Sequence, residues 1–207
     1  IRFLQTVQRR PVDGVIMAPH RLTTDDLDKF IKRSSIPVVA VGAQVSHPLV
    51  DVVGGTSEPG TYAAINWLIN QKGHRRIGFM SVIEDMPPGP ARLKGYERAM
   101  MDAGLPIEDG FVQKVDFTIV GGQKAMETYL RQPNPPRAIF AANSLMAIGA
   151  VMTAQDAGFR VPEDFSIMGF DDIPEASIIR PKLTIVARDL SSIGHQLARI
   201  LFERIDG

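Results

Sequence analysis

Two adjacent carboxylates, Asp171 and Asp172, follow a short apolar run, Phe165–Gly169, in the sequence VPEDFSIMGFDD. If this run is a strand of a parallel α/β sheet, the carboxylates lie just beyond its carboxyl end, where such sheets bind their ligands. A carboxylate at that place can accept hydrogen bonds from the hydroxyl or amide groups of a small molecule. Alternatively, one of the two caps a helix that begins near Pro174. The local sequence leaves both interpretations open.

Other patterns that carry chemistry do not occur in the sequence. There is no cysteine, which excludes disulfides, zinc–thiolate sites and thiol nucleophiles. The glycine pairs Gly54-Gly55 and Gly121-Gly122 lack the spacing and the Lys-Ser/Thr of a nucleotide-binding loop. The histidines are scattered at no metal-ligand spacing, at His20, His47, His74 and His195. We therefore predict a protein that is not an enzyme and that carries no cofactor or metal.

The composition is that of an ordinary soluble globular protein. Of the 207 residues, 44% are hydrophobic and 22% are charged, and Lys+Arg and Asp+Glu both number 23. A chain with zero formal net charge has no global basic field for nucleic acid, so any contact with DNA must come from a part outside this chain. No apolar run approaches the roughly 18–20 residues that span a bilayer. The start, IRFLQTVQRR, is unlike a signal peptide, and we expect the chain to be a fragment.

The rest of the sequence alternates short strands with amphipathic helices. This order predicts parallel sheets with helices on both faces, in two similar halves that divide near Ser81–Pro90 and enclose a ligand crevice. The predicted strands are Val12–Met17, Ile36–Val41, Val50–Val53, Ile77–Ser81, Val112–Phe117, Ala138–Ala142, Phe165–Gly169 and Leu183–Val186. The predicted helices are Ile1–Arg10, one from Thr24, Gly60–Lys72, one from Arg92, Gly122–Arg131, Ser144–Ala157 and Ile193–Ile205, with a loop at Met86–Pro90.

Five segments carry a family resemblance, and they occur in the family's order. They are KGHRRIGF, ARLKGYERAMMDAGLP, AIFAANSLMAIGAV, GFRVPEDFSIMGFDDI and RPKLTIV. Over nearly its whole length the chain resembles the effector-binding core of the LacI/GalR family of bacterial transcription repressors. The resemblance implies a fold like the periplasmic sugar-binding proteins, with two α/β subdomains that close on a small molecule. We expect residues 1–81 with 189–207 to form one subdomain and residues 82–188 the other, with the first strand of the core missing before Ile1.

The resemblance also implies partners. The small molecule would be a sugar or sugar-like effector, and operator DNA would be read by an N-terminal helix-turn-helix that is not in this chain. A cytoplasmic homodimer that does not contact a membrane is expected. The alternative is a periplasmic sugar-binding protein of an ABC transporter, which would carry an export signal and act as a monomer. The RLKGY, GFDDI and KGHRRIGF motifs favour the regulator.

Four residues match the family's ligand contacts. Arg92, in RLKGY, matches an arginine whose fork of donors suits vicinal hydroxyls or a carboxylate, and its alternative is a helix-surface arginine. Asn143 matches an asparagine at a strand end, where it can also cap the next helix. Asp171 matches the ligand-facing carboxylate, whereas Asp172 is expected to order the loop or cap a helix. Phe117 stands where an aromatic ring covers a sugar or base, and its alternative is a core phenylalanine.

Three positions depart from the family pattern. Ser144 stands where the family usually has aspartate after Asn143, and Gly42 stands where many sugar binders have a polar residue. Thr56-Ser57-Glu58-Pro59-Gly60 replaces an Asp-Asn-x-x-Gly pattern. These changes leave fewer polar groups in the N-terminal subdomain than a typical hexose binder has. The specificity is therefore predicted to extend beyond simple sugars.

Overall fold

The computed structural model shows two compact units. Unit 1 comprises Ile1–Thr56 and Asp189–Gly207, and unit 2 comprises Ser57–Arg188. The residues that the structure describes are 12–19, 22–42, 46–54, 57–82 and 87–207. Within these ranges no helix is long and apolar enough to cross a membrane. The helix predicted over Ile1–Arg10 lies outside the described residues.

Strands and helices alternate along the described chain except between the second and third strands, and every strand pairing is parallel. The strands are β1 Val15–Met17, β2 Val38–Val41, β3 Val50–Val53, β4 Ile77–Val82, β5 Val112–Val115, β6 Ala138–Ala141, β7 Ser166–Phe170 and β8 Thr184–Val186. The helices are α1 Thr24–Ser34, α2 Glu58–Asn70, α3 Gly89–Asp102, α4 Ile119–Leu130, α5 Ser144–Asp156, α6 Pro174–Ile178 and α7 Leu190–Asp206. The predicted parallel-sheet α/β class is confirmed.

Unit 1 contains a three-stranded sheet in the order β1-β2-β3, with α1 on one face and α7 on the other. The β-branched run predicts a strand that is buried on both faces, and β2 is such a strand. Val38 packs with Leu27 of α1, whereas Val39 packs with Leu197 of α7. The alternation of side chains along β2 thus joins two helices that are far apart in the sequence.

Unit 2 contains a five-stranded sheet in the order β5-β4-β6-β7-β8. Helices α2 and α3 cover one face, where Phe140 stacks on Phe79 and Phe79 stacks on Tyr96. Helices α4 and α5 cover the other face, where Ile139 packs with Met126. Adjacent residues of β6 therefore pack into different cores, because successive side chains of a strand point to opposite faces of the sheet.

The boundary between the units lies between Thr56 and Ser57, and this differs from the division expected after residue 81. The physical reason is the position of β4, which is a central strand of the second sheet and pairs with both β5 and β6. Helix α2 packs against the same sheet, where Ile65 and Leu68 are fully buried. The expected division would have separated β4 and α2 from the core that they build.

Two of the helix starts that differ from their predictions have a local explanation. Helix α4 begins three residues before the predicted Gly122, since the Thr118 side chain caps it by accepting a hydrogen bond from the Gly121 N–H at 3.0 Å. Helix α3 begins at Gly89, inside the predicted loop Met86–Pro90, and proline in a first turn fits a helix without strain. Met86, the first residue of that loop, lies outside the described residues.

His74 precedes β4 and joins it to the start of β7, where its Nε2 lies 3.0 Å from the Ser166 hydroxyl. Burial lowers the pKa of this half-buried imidazole below its usual 6.5, and the nearby Lys72 lowers it further. The folded state therefore binds a proton less readily than the unfolded chain, whose histidine has the ordinary pKa. The stability that the neutral side chain contributes is present above pH 6.5 and is lost as the pH falls through the folded pKa.

We expect the urea midpoint of unfolding to be lower at pH 5.5 than at pH 7.5. This decrease should be smaller in the His74→Gln variant than in the parent protein. The matched control is His195→Gln, because His195 is exposed and its Nδ1 lies 2.8 Å from the Ser191 carbonyl one turn earlier in the same helix. Equal pH dependence in the His74→Gln variant and the parent would contradict the assignment to His74.

Candidate functional site

The candidate site lies at the carboxyl end of the unit 2 sheet. Strands β4 and β6 are neighbours, but β4 leads to α3 on one face and β6 leads to α5 on the other. This is the point where the order of a doubly wound sheet reverses, and ligands of such sheets bind there. The residues that follow β6 and β7, together with the first turn of α3, meet at this edge.

Arg92 is the only arginine among the described residues that is almost fully buried, with 1% of its surface exposed. Its Nη2 donates to Asp171 Oδ2 at 2.8 Å, and its Nη1 donates to the Ala142 carbonyl. The guanidinium carbon lies 3.7 Å from the ring centre of Phe170, within the range of a cation–π contact. Burial lowers the pKa of Arg92, and the Asp171 carboxylate opposes that shift. The charge is thus held by a carboxylate, a carbonyl and an aromatic face.

Asp171 is held by a second arginine, Arg188, which sequence reasoning did not identify. Arg188 Nε and Nη2 lie 2.9 and 2.7 Å from Asp171 Oδ1. The backbone of Asp171 has a left-handed φ of 73°, which aspartate tolerates better than most residues, and its N–H donates to the Val186 carbonyl. The side chain keeps 27% of its surface exposed, so the carboxylate is anchored but open to a ligand.

Asn143 caps α5, as one of its two interpretations predicts. Its Oδ1 accepts a hydrogen bond from the Met146 N–H at 2.8 Å, and its Nδ2 donates to the Phe117 carbonyl at 3.2 Å. Phe117 is half-buried and its ring packs against both cores of unit 2. Capping and core packing are thus observed for these two residues, and their contacts with a ligand remain predictions.

Ser144 has a structural role, and Asp172 behaves differently from expectation. The Ser144 hydroxyl is buried and donates to the carbonyls of Phe170 and Asp171, so it fastens α5 to the end of β7. Asp172 is exposed, and α6 begins after Ile173 without a side-chain cap. In the part of the chain that the structure describes, Asp172 makes no side-chain hydrogen bond, so the predicted capping role is not observed.

The structure brings the four predicted residues together through hydrogen bonds. Arg92 contacts Asp171 directly and the carbonyl of the residue before Asn143, and Asn143 contacts the backbone of Phe117. The contribution of Arg188 follows from strand register, since Phe170 pairs with Val186 and the residues just beyond both strands become neighbours. A parallel pairing of the two predicted strands was the signal that would have identified it.

This arrangement is suited to hydrogen bonding with a polar small molecule. It offers guanidinium donors, a partly exposed carboxylate and an amide at one sheet edge. The described residues contain no group of three or more histidine or acidic side chains that could hold a metal ion. The site can therefore bind and orient a ligand through charge-assisted hydrogen bonds, which are about twice as strong as neutral ones.

Comparison with known proteins places the whole chain in one structural group. Residues 68–207 match the periplasmic binding protein-like domain family. Catabolite control protein A of Priestia megaterium is 33% identical over 202 residues, which is 97% of this chain and 60% of that protein. The chain thus spans about 60% of the length of the curated relatives that it matches.

Solved structures of transcriptional regulators superpose on the whole chain. A LacI-family transcriptional regulator from Enterococcus faecium with bound ribose superposes with a TM-score of 0.87 at 29% identity, covering 100% of this chain and 76% of that one. The complex of the transcriptional regulator CelR with cellobiose gives a TM-score of 0.84 at 34% identity, covering 100% of this chain and 63% of that one.

Proposed function

The chain belongs to the periplasmic binding protein-like domain family, in the form that builds the effector-binding core of LacI/GalR-type regulators, and from this premise we propose that it binds a small polar effector through Asp171, Arg92, Asn143 and Phe117. Effector binding changes the affinity of the full-length protein for operator DNA, which a segment outside this chain contacts. The protein acts as a cytoplasmic homodimer and performs no catalysis.

One observation carries the proposal, namely the pairing of a buried arginine with a partly exposed carboxylate at the switch point of the sheet. Burying an arginine is unfavourable, and replacing such an ion pair by apolar residues often stabilises a protein. A pair of this kind at a ligand-binding edge is therefore better explained by recognition than by stability. The relatives with bound ribose and cellobiose support a sugar-like ligand.

The alternative, a sugar-binding protein that serves an ABC transporter, has less support. The curated relatives are named as a catabolite control protein and as transcriptional repressors, and the similar solved structures are described as transcription regulators. A regulator must couple two binding events, whereas a transport protein need only hold its ligand. Coupling between ligand and DNA is consequently the property that distinguishes the two functions.

The experiment measures that coupling. A thermal-shift screen of sugars, sugar acids and nucleobases first identifies a ligand that stabilises the protein. Fluorescence anisotropy then measures the affinity of the full-length protein for DNA that it selects from a random library, with and without that ligand. We expect the affinity to change by about 5–150-fold, the usual range of coupling between two sites.

Two results would contradict the proposal. An unchanged DNA affinity at saturating ligand would contradict the proposed regulatory role. The site assignment would be contradicted if the ligand stabilised the Arg92→Ala and Asp171→Ala variants as much as it stabilises the parent protein. The size of the shift at a fixed ligand concentration reports affinity in each variant, so a lower starting stability does not obscure the comparison.

A further inference from the structure

We infer that the site selects an anionic ligand, a sugar acid that carries a carboxylate, over the corresponding neutral sugar. The inference rests on the proposed function, since it names the ligand class of the same site. It follows from an imbalance between donors and acceptors around Asp171: the protein itself occupies most of the acceptors, and most of the unused groups are donors.

The acceptors are largely occupied. Asp171 Oδ1 accepts a hydrogen bond from Nε of Arg188 and lies 2.7 Å from Nη2 of the same arginine, while Oδ2 accepts a hydrogen bond from Nη2 of Arg92. Each carboxylate oxygen has two lone-pair sites, and the Arg188 guanidinium crowds Oδ1, so the more open site for a ligand hydroxyl is the second one on Oδ2. The Oδ1 of Asn143 is occupied by the cap of α5. A neutral sugar, which presents many hydroxyl donors, finds few acceptors here.

The donors are in excess. A guanidinium has five N–H donors, and Arg188 uses one of them, on Nε, in a hydrogen bond to Asp171 and places Nη2 against the same oxygen. Arg188 is 43% exposed, so its other donors can be reached from solvent. One Nδ2 hydrogen of Asn143 is left over, and the Nε of Arg92, which is buried, has no partner among the described residues. A ligand that brings acceptor oxygens fits this set.

The charges of the contacting groups point to the same ligand. Two arginines face a single carboxylate, so the cluster carries a formal charge of +1. The adjacent acidic residues do not join it: Asp172 makes no side-chain hydrogen bond in the described structure, and the Asp189 carboxylate caps α7 through the Ser192 N–H. A ligand carboxylate that binds Arg188 would complete the neutralisation, while one ligand hydroxyl donates to Asp171 Oδ2.

Isothermal titration calorimetry tests the inference with defined probes, namely glucuronate, galacturonate and gluconate, each compared with its neutral parent, glucose or galactose. We expect at least one acid to bind about tenfold more tightly than its parent, because hydrogen bonds to a charged group are stronger than those between neutral groups. The Arg188→Gln variant should lose this preference, so that it binds the acid and its neutral parent with similar affinity. The preference of the parent protein should also weaken as the salt concentration rises.

The matched control is Arg160→Gln. Arg160 also pairs with an aspartate, Asp164, but it precedes the amino end of β7 and should leave the preference unchanged. Equal or tighter binding of the neutral parents overturns the inference and leaves the proposed function intact. A preference that survives Arg188→Gln overturns it as well. If none of these acids binds, the inference is wrong, and the coupling to DNA still tests the function with whichever ligand the screen identifies.

Discussion

The free energy of unfolding of the Asp171→Asn variant is expected to be about 3 kcal/mol lower than that of the parent protein. Removing one partner of a buried ion pair typically costs about 3–5 kcal/mol, because the other charge stays buried without compensation. The low end applies here, since Asp171 is 27% exposed and asparagine still offers an oxygen. Asparagine also tolerates the left-handed backbone of this position, so the substitution tests the charge alone. Urea unfolding measures the change.

Three further variants make the result specific, and the first, Arg92→Met alone, supplies the second single loss. In Arg92→Met/Asp171→Asn the uncompensated charge is gone, so the double variant should be more stable than Asp171→Asn alone. Asp164→Asn is the matched control, because Asp164 forms an exposed pair with Arg160 and such pairs contribute little. If the double variant loses the sum of the two single losses, Arg92 and Asp171 are not coupled, and the ion pair does not explain the effect.

The Gly149→Ala variant is expected to lose about 3 kcal/mol or more of stability, the upper range for overpacking a core. A Cβ at Gly149 would overlap the Ile119 carbonyl oxygen, and it would stand 2.9 Å from the Gln123 nitrogen of the facing helix α4. These are backbone atoms, so they cannot turn aside as a side chain can. A Cβ at Gly122 would likewise overlap the Met146 carbonyl, so α4 and α5 approach each other at a glycine on each side.

Gly194→Ala provides the control for this prediction. Gly194 lies inside α7, and a Cβ there meets no atom of the described residues within 4 Å beyond its chain neighbours and the backbone of its own helix. Alanine is the better helix former by about 1 kcal/mol, so this variant should be as stable as the parent or more stable. Gly149→Ala gains the same helix propensity, yet contact with the facing helix should outweigh it. Equal thermal stability of the two alanine variants would show that the helices can move apart at no cost.

The order and type of the secondary structure elements were predictable because they depend on local patterns. The run Ile36–Val41 contains β2, and Val50–Val53 matches β3 residue for residue. The boundary between the units was not predictable in this way. It depends on which sheet β4 enters, and that is fixed by pairing with β5 and β6, residues that lie up to about 60 positions further along the chain.

The site was predictable in part for the same reason. Arg92, Asn143, Phe117 and Asp171 were identified from motifs, and the structure joins them at one sheet edge. Arg188 belongs to no motif, and only the register of β7 against β8 places it beside Asp171. The split between capping and ligand binding at Asn143 could not be read from its neighbours, because a single amide can serve both purposes.

The division of the chain into its units bears on the order in which they form during synthesis. Unit 2 is one continuous segment, Ser57–Arg188, so every residue of its sheet has been made before α7 is translated. Unit 1 is interrupted, and α7 must return to a sheet made much earlier, with Arg204 reaching Asp51 across 153 positions. Contacts over such separations close large loops and form slowly. Unit 2 can therefore fold while the chain is still being synthesised, whereas unit 1 cannot be completed until its last helix has been made.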